Sequence, residues 1–408
     1  MIYRIIIKEK KMKTRVAVMY GGRSVEHEVS VISGIQALLS IDTDKYETIP
    51  VYITKDNQFY VGEDIGKIEA YKDIDGLLSR SQKVIWVNEG DKVVLSPYPK
   101  KMFGSMKEIE VDVAFPVVHG TNEEDGTLMG FLKTLGVPFV GCDVTAAAIG
   151  MDKYISKCVL KDNDIPVLDC ICFHEDDYAD MDDLINRAEE KVGYPAIVKP
   201  VNSGSSVGIS MAKNRQELIA AVDDAFTYAT IVLVEHGIQQ LKEINCSVLG
   251  DDSGAKASIL EEPFHSKDIL SYEDKYMGQG AKDGGSKGMA SVSRKIPADL
   301  PEDVTKRIQE YAVRAFKAFG CNGVARIDFM IDEESGELYF NEINTIPGSL
   351  SFYLWEPTGL KYSDLLDQII QMGLKRARKD RAMTFTFDTN ILDQNAFGGA
   401  KGAKGSKL

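Results

Sequence analysis

Between Arg15 and Gly141, strand-like and helix-like runs alternate, and no other feature restricts the fold of this chain so strongly. "RVAVMY" precedes Gly21-Gly22, "VSVISGIQALLS" repeats its apolar residues at helical spacing, and "YETIPVYI" is the next strand. "DVAFPVVHG", the helix "GTLMGFLKTLG" and the short run "VPFVG" renew the pattern. Strands joined through helices must cross a sheet face, so a parallel sheet flanked by helices is predicted. At 408 residues the chain exceeds one ordinary core, and two or three domains are expected. The boundaries fall at 12–141, 142–235 and 236–380, with a tail over 381–408. The second unit carries one helix through "AAAIGMDKYISKCVLKD" and the hairpin "YPAIVKPVNSGSSVGISMA"; the third closes on the helix "YSDLLDQIIQMGLKRA".

The third unit contains "RIDFMIDEESGELYFNEINTIPG", Arg326 to Gly348. Glu333-Glu334-Ser335-Gly336 is a turn between two β-prone runs, which makes the segment a hairpin. A turn centred near Ser335 sets Asp328 roughly opposite Glu342, and side-chain alternation puts Asn344 on the face of Glu342. Two carboxylates this close repel unless a cation separates them. Oxygen ligands without Cys or His suit magnesium or manganese, with phosphate oxygens completing the shell. The other reading is a solvated edge hairpin. It fits poorly with Ile327, Phe329, Ile331, Leu338, Phe340 and Ile343, which interleave as one buried face.

"VKPVNSGSSVG" is a strand, a Gly/Ser loop and a returning strand. Its backbone N–H groups and the Ser205 and Ser206 hydroxyls could cradle phosphate beside Lys199, or the segment is a plain flexible hairpin. It lacks the Walker order of glycines and lysine. "YGGRSVEHEVS" turns from the first strand into the first helix, at the edge where open α/β sheets bind ligands. Glu26 there could meet an ammonium group or complement the helix dipole. Lys153, Lys275, Glu235 and Glu243 carry no information singly, and His119 reads as a satisfied structural histidine.

A net charge of -14 argues against a general nucleic-acid binder, which needs a basic face. The six cysteines are scattered and Cys170-x-Cys172 is no metal spacing, so free thiols in a reducing cytoplasm are expected. No apolar run approaches the roughly 20 residues of a membrane helix. "MIYRIIIKEKK" lacks the ending of a signal peptide and reads as an upstream start or an extra edge strand. Five glycines over 278–288 predict a mobile loop, and "AFGGAKGAKGSKL" a disordered tail.

Six motifs, "GGRSVEHEVS", "HGTNEEDGTLMGFLKTLGVPFVG", "MDK", "VKPVNSGSSVG", "YEDKY" and "RIDFM…NEINTIPG", stand in the order and approximate spacing of D-alanine–D-alanine ligases. The chain resembles that family, of the ATP-grasp superfamily, over about 14–374. The resemblance implies a mixed α/β and α+β architecture: an N-terminal parallel-sheet domain and two ATP-grasp subdomains with ATP between them. By position, Lys153 and Lys199 look like the lysines that hold phosphates, joined by Lys275 from the mobile loop and by Ser205 and Ser206. Glu235 and Glu243 match the adenine and ribose contacts, and Met330 the adenine pocket. Asp328, Glu342 and Asn344 match the ligands of two magnesium or manganese ions. Glu26, Ser205 and Tyr276 match a hydrogen-bonded group that orients the first D-alanine. Arg326 and the Gly348 N–H match the groups that stabilise charge at the reacting carbon.

The implied activity is ATP-dependent joining of two D-alanines through an acyl phosphate, for peptidoglycan precursors. It implies a cytoplasmic enzyme with no nucleic-acid or membrane partner, and a homodimer, as family members often are. Two departures adjoin the second-substrate pocket. The segment after Gly348, "SLSFYLWEPTG", is about four residues shorter than usual, and the mobile loop about ten longer. Ser351, or else Ser349, is expected to hold the second carboxylate. Tyr276 in place of phenylalanine favours an amine over D-lactate. The alternatives are a dipeptide ligase with another second amino acid and a degenerate nucleotide-binding protein.

Overall fold

The structure is a computed structural model that describes residues 13–100, 106–204, 207–263 and 294–387. Ser205, Ser206, Lys275, Tyr276, the loop 278–288, the first eleven residues and the tail from Ala396 lie outside that set.

The first sheet holds β1 (Thr14–Gly21), β2 (Tyr46–Ile53), β3 (Phe59–Val61), β4 (Gln82–Asn88), β5 (Val93–Pro97), β6 (Ile109–Val111) and β7 (Val113–Pro116). Their order is β6-β5-β4-β3-β2-β1-β7. β1 runs parallel to both β2 and β7, as the alternation requires. From β2 to β6 the sheet continues antiparallel. Short turns explain two of these pairs: Asn57 and Gly90, both at positive φ, close the β2–β3 and β4–β5 hairpins, too tight for a crossover. The expected strand "VPFVG" contributes only one bridge, Phe139 to Ala114. Helices α1 (His27–Ser40), α2 (Ile74–Arg80) and α3 (Thr127–Thr134) accompany this sheet.

Helices α4 (Val144–Met151) and α5 (Lys153–Asp162) replace the single helix expected there. Asp152 turns extended between them and its side chain accepts the Ile155 N–H, a cap that restarts the helix. The Lys153 N–H leaves the helix and bonds Val201 O at 3.1 Å. The second sheet is antiparallel, with β8 (Cys170–His174), β9 (Ala196–Pro200), β10 (Ser210–Ala212) and β11 (Ile231–His236) in the order β10-β9-β11-β8. Phe173, Val198, Val232 and Val234 face the core shared with α6 (Met181–Lys191) and α7 (Arg215–Ala225). Alternation then sends Lys199 and Glu235 to the opposite face.

The third sheet is β12 (Leu241–Asp251), β13 (Gly254–Pro263), β14 (Arg294–Lys295), β15 (Gly323–Asp332) and β16 (Leu338–Asn344), ordered β14-β13-β12-β15-β16 and antiparallel. Ile244, Cys246, Ile327, Phe329 and Phe340 pack beneath it against Ile308 and Phe316 of α8 (Glu302–Ala318). The last described helix, α9 (Tyr362–Arg381), sends Leu365, Leu366, Ile369 and Ile370 into the same core as β1, β2 and β7. Arg376 seals that contact by bonding the Phe139 and Gly141 carbonyls.

Candidate active site

The second and third sheets enclose a cavity of about 1120 Å³ that is closed on its third side by the first unit. Its acidic wall is the β15–β16 hairpin. Asp328 pairs in register with Glu342, and Arg326 with Asn344, so all four side chains share one face. The register slips once, between Asp328 and Phe329, leaving Asn341 as an extra residue. Such a bulge redirects a side chain, and the Asn341 amide oxygen accepts a bond from Lys199 Nζ at 3.2 Å.

Arg326 forks onto Asp328, Nε to Oδ1 at 2.7 Å and a terminal nitrogen to Oδ2 at 2.6 Å, while Asn344 donates to Oδ2 at 3.0 Å. Burial pushes the Asp328 carboxyl up to about 6; Arg326 opposes the rise, and Glu342 and Glu243 add to it. Among the described residues no three His, Cys, Asp or Glu form a metal cluster. Two facing carboxylates and an amide are therefore the donors on offer. This oxygen set, strained by its own charge, fits magnesium or manganese when phosphate oxygens supply the remaining positions.

The basic wall faces it. Lys153 Nζ donates to Ser203 O at 2.5 Å and lies 3.8 Å from Glu342 Oε2. Burial holds its pKa below the usual lysine value, Glu342 works against that and Lys199 reinforces it. Glu235 is clamped between two lysines: Lys157 Nζ is 2.7 Å from Oε2, and Lys199 pairs with Oε1. Burial alone would raise the Glu235 carboxyl, but Lys157 and Lys199 bring it down to about 2. Burial disfavours the Lys199 charge too, and Glu235 outweighs it. Glu243 faces Met330 across β12 and β15, and both line the cavity.

The third side is built on the Gly-Gly turn. Gly21 and Gly22, at φ 100 and 99, turn the chain out of β1 and set Glu26 at the start of α1. The Glu26 carboxylate is buried against Gly204 of the Gly/Ser loop, where any Cβ would lie 2.8 Å from Oε2. His119 is buried, with Nε2 3.1 Å from Ser33 Oγ and its N–H donating to Ser30 Oγ. Burial lowers its pKa to about 4. It is hydrogen-bonded as a structural histidine should be, and it also lines the cavity. Glu124, half-buried, accepts the Ile346 N–H at 2.8 Å, and burial pushes it up to about 8.

Gly348 lines the cavity, whereas Ser349 and Ser351 do not. They are buried in a turn where Ser349, Leu350 and Ser351 all stand at φ near 51, the left-handed region. Ser349 N–H bonds Ser33 Oγ, and Ser351 Oγ has no hydrogen-bond partner among the described residues. Lys157 and Arg294 enter the site without any motif to announce them, and Glu124 enters from within "HGTNEEDGTLMGFLKTLGVPFVG" without having been singled out there. A lysine one turn beyond Lys153 on a helix was the single available signal for Lys157.

Two family models match the chain: D-ala D-ala ligase N-terminus over residues 15–142 and D-ala D-ala ligase C-terminus over 159–371. A D-alanine–D-alanine ligase from Caldicellulosiruptor bescii is 39% identical over 385 residues, covering 92% of this chain and 99% of its own. One from Acetivibrio thermocellus is 39% identical over 379 residues, covering 89% and 96%. Among solved structures, the D-alanine-D-alanine ligase of Coxiella burnetii has a TM-score of 0.74 at 30% identity, covering 91% of this chain and 96% of that one. The VanG D-Ala:D-Ser ligase of Enterococcus faecalis has a TM-score of 0.73 at 32% identity, covering 89% and 100%.

Proposed function

The chain belongs to the D-alanine–D-alanine ligase family of ATP-grasp enzymes, and we propose that its two facing walls perform that ATP-dependent ligation with the residues named here. The observation that carries the assignment of roles is the register of Asp328 with Glu342, set 3.8 Å from Lys153 across the cleft. A carboxylate is a poor electrophile, so ATP must first convert the first D-alanine to an acyl phosphate. Lys153 and Lys199 bind the phosphates, and Glu235, fixed between Lys157 and Lys199, keeps the second of these in place. A divalent ion held by Asp328, Glu342 and Asn344, magnesium or manganese, would offset phosphate charge in transfer. Glu26 orients the ammonium group of the first D-alanine. Arg326 and the Gly348 N–H take up charge as the second amine attacks. Glu243 and Met330 face the nucleotide, and Ser205, Ser206, Lys275 and Tyr276 complete the reading from the sequence alone.

Domain limits at 141, 235 and 380, a cytoplasmic location and a homodimer belong to the same proposal. No described helix is long and apolar enough to cross a membrane. Incubation with ATP, magnesium and a panel of D- and L-amino acids tests the substrate assignment. D-Alanyl-D-alanine with equal ADP is expected; ADP release indifferent to D-alanine defeats the reading. A second reading, D-serine as the attacking amino acid, draws on the likeness to the D-Ala:D-Ser ligase and on the shortened segment after Gly348. The same panel decides it by product mass.

A further inference from the structure

The third sheet carries a row of polar side chains that runs past the reacting centre. Glu342 faces Asp328, Asp328 faces Asn245, and Asn245 faces Glu261, one strand to the next. The Asn245 amide donates to Glu261 Oε2 at 3.2 Å. Beyond Glu261 lies β14, where Arg294 pairs with Pro263. At about 4.8 Å per strand, the row measures a substrate-sized distance from the phosphate end to the Arg294 end.

Arg294 is nearly buried, lines the cavity with Arg326 and Gly348, and lies 2.9 Å from Glu261 Oε1. Its guanidinium stacks 4.3 Å over the Tyr353 ring, and the Tyr353 hydroxyl donates to Glu261 at 3.2 Å. Its plane is thus fixed by one carboxylate and one ring. Arg326, the other arginine of the lining, is committed to Asp328. On the ligase reading, ATP and the acyl phosphate take the Glu342 end, which leaves the β14 end to the second amino acid. The expected anchor, Ser351, stands outside the cavity lining.

We propose that Arg294 holds the carboxylate of the second amino acid, and so selects an attacking substrate that carries one. The assignment rests on the ligase reading above. A guanidinium offers five donors in a planar fork that matches a carboxylate, and stacking reduces what it loses on ordering. Tyr353 belongs to the shortened segment; the short turn that buries Ser351 also brings Tyr353 beneath Arg294.

Arg294→Met and Arg294→Lys test this in the full chain with magnesium. In Arg294→Met, KM for the second D-alanine should rise at least about thirtyfold, while KM for ATP stays within about twofold. Arg294→Lys should fall between. D-Alaninamide lacks the carboxylate, so wild type should favour D-alanine over it and Arg294→Met should lose that preference. Hydroxylamine can replace the second substrate: its amine displaces phosphate from D-alanyl phosphate and yields the hydroxamate. That half-reaction should survive in both variants. Retained preference for D-alanine over the amide, or hydroxamate formation lost in step with ligation, overturns the role of Arg294. No hydroxamate from wild type would instead remove the ligase reading itself.

Discussion

Glu235 and Asp328 are buried carboxylates on facing walls of one cleft, and their proton affinities move in opposite directions. Their exposures are 1% and 8%, so burial penalises both. Glu235 nevertheless falls to about 2 because two lysines clamp it, one on each oxygen. Asp328 rises to about 6 because one arginine must offset burial and the fields of Glu342 and Glu243. The basic wall is compensated within the protein; the acidic wall is left short of positive charge. On the proposed function, a wall of the first kind is scaffold with one cation to spare for phosphate, and a wall of the second kind is completed by a cation from outside.

Breaking the compensated wall should have the largest effect. Lys157→Met leaves a buried carboxylate with a single partner, and losing half of a buried pair costs about 3–5 kcal/mol. Urea unfolding measures it, and KM for ATP should rise because Lys199 loses its fixed neighbour. A loss below about 1 kcal/mol would mean that Glu235 needs no clamp. The uncompensated wall should respond in activity rather than stability. Glu342→Gln should lower ligation at least about a hundredfold, roughly 2.7 kcal/mol of barrier, with little change in thermal midpoint. Wild-type turnover of this variant at low magnesium would contradict the metal-site assignment.

Glu124 sharpens the contrast, since burial raises it to about 8 with no cation to oppose the rise. Its folded pKa lies above the ordinary 4.5, so the stability it allows is full in acid and lost as pH climbs from about 4.5 towards 8. Glu124→Gln keeps an acceptor for the Ile346 N–H and cannot ionise. The thermal midpoint of the variant should gain on wild type between pH 5 and pH 8; a constant difference would refute the shift. The smallest effect is expected from the tail. Both walls lie among residues described before 388, and removal of 396–408 should leave activity nearly intact. A loss beyond about tenfold, roughly 1.4 kcal/mol, would refute that.

The contrast between the walls was half legible in the sequence. The acidic wall follows from a turn of known length, which fixes the register of Asp328 against Glu342. The bulge at Asn341 was not visible, because no glycine or proline marks it. In the basic wall Lys153 and Lys199 stand in motifs, but Lys157 was hidden because it looks like any helix lysine; its burial depends on where α5 docks. The break before α5 was equally silent, since Met-Asp-Lys continues the helical period and the competing bond comes from Val201, far along the chain. Arg294 depends on two partners, Glu261 and Tyr353, separated from it by about thirty and sixty residues, and no local pattern reports such a meeting. In the first sheet the alternation was legible, but the β2–β3 and β4–β5 pairs turned antiparallel through short turns that the alternation does not count.

Helix α9 completes the core of the first sheet, and this sets an order of events on the ribosome. Residues up to 142 emerge long before Tyr362 to Arg381, with roughly 220 residues between. At about 5–20 residues per second, that is a wait on the order of 10–40 s. During it the apolar ground that Leu365, Leu366, Ile369 and Ile370 will cover stays open to water and to other nascent chains. The N-terminal unit therefore finishes folding only after Arg381 has emerged, and a chain stopped before α9 lacks a wall of its first core.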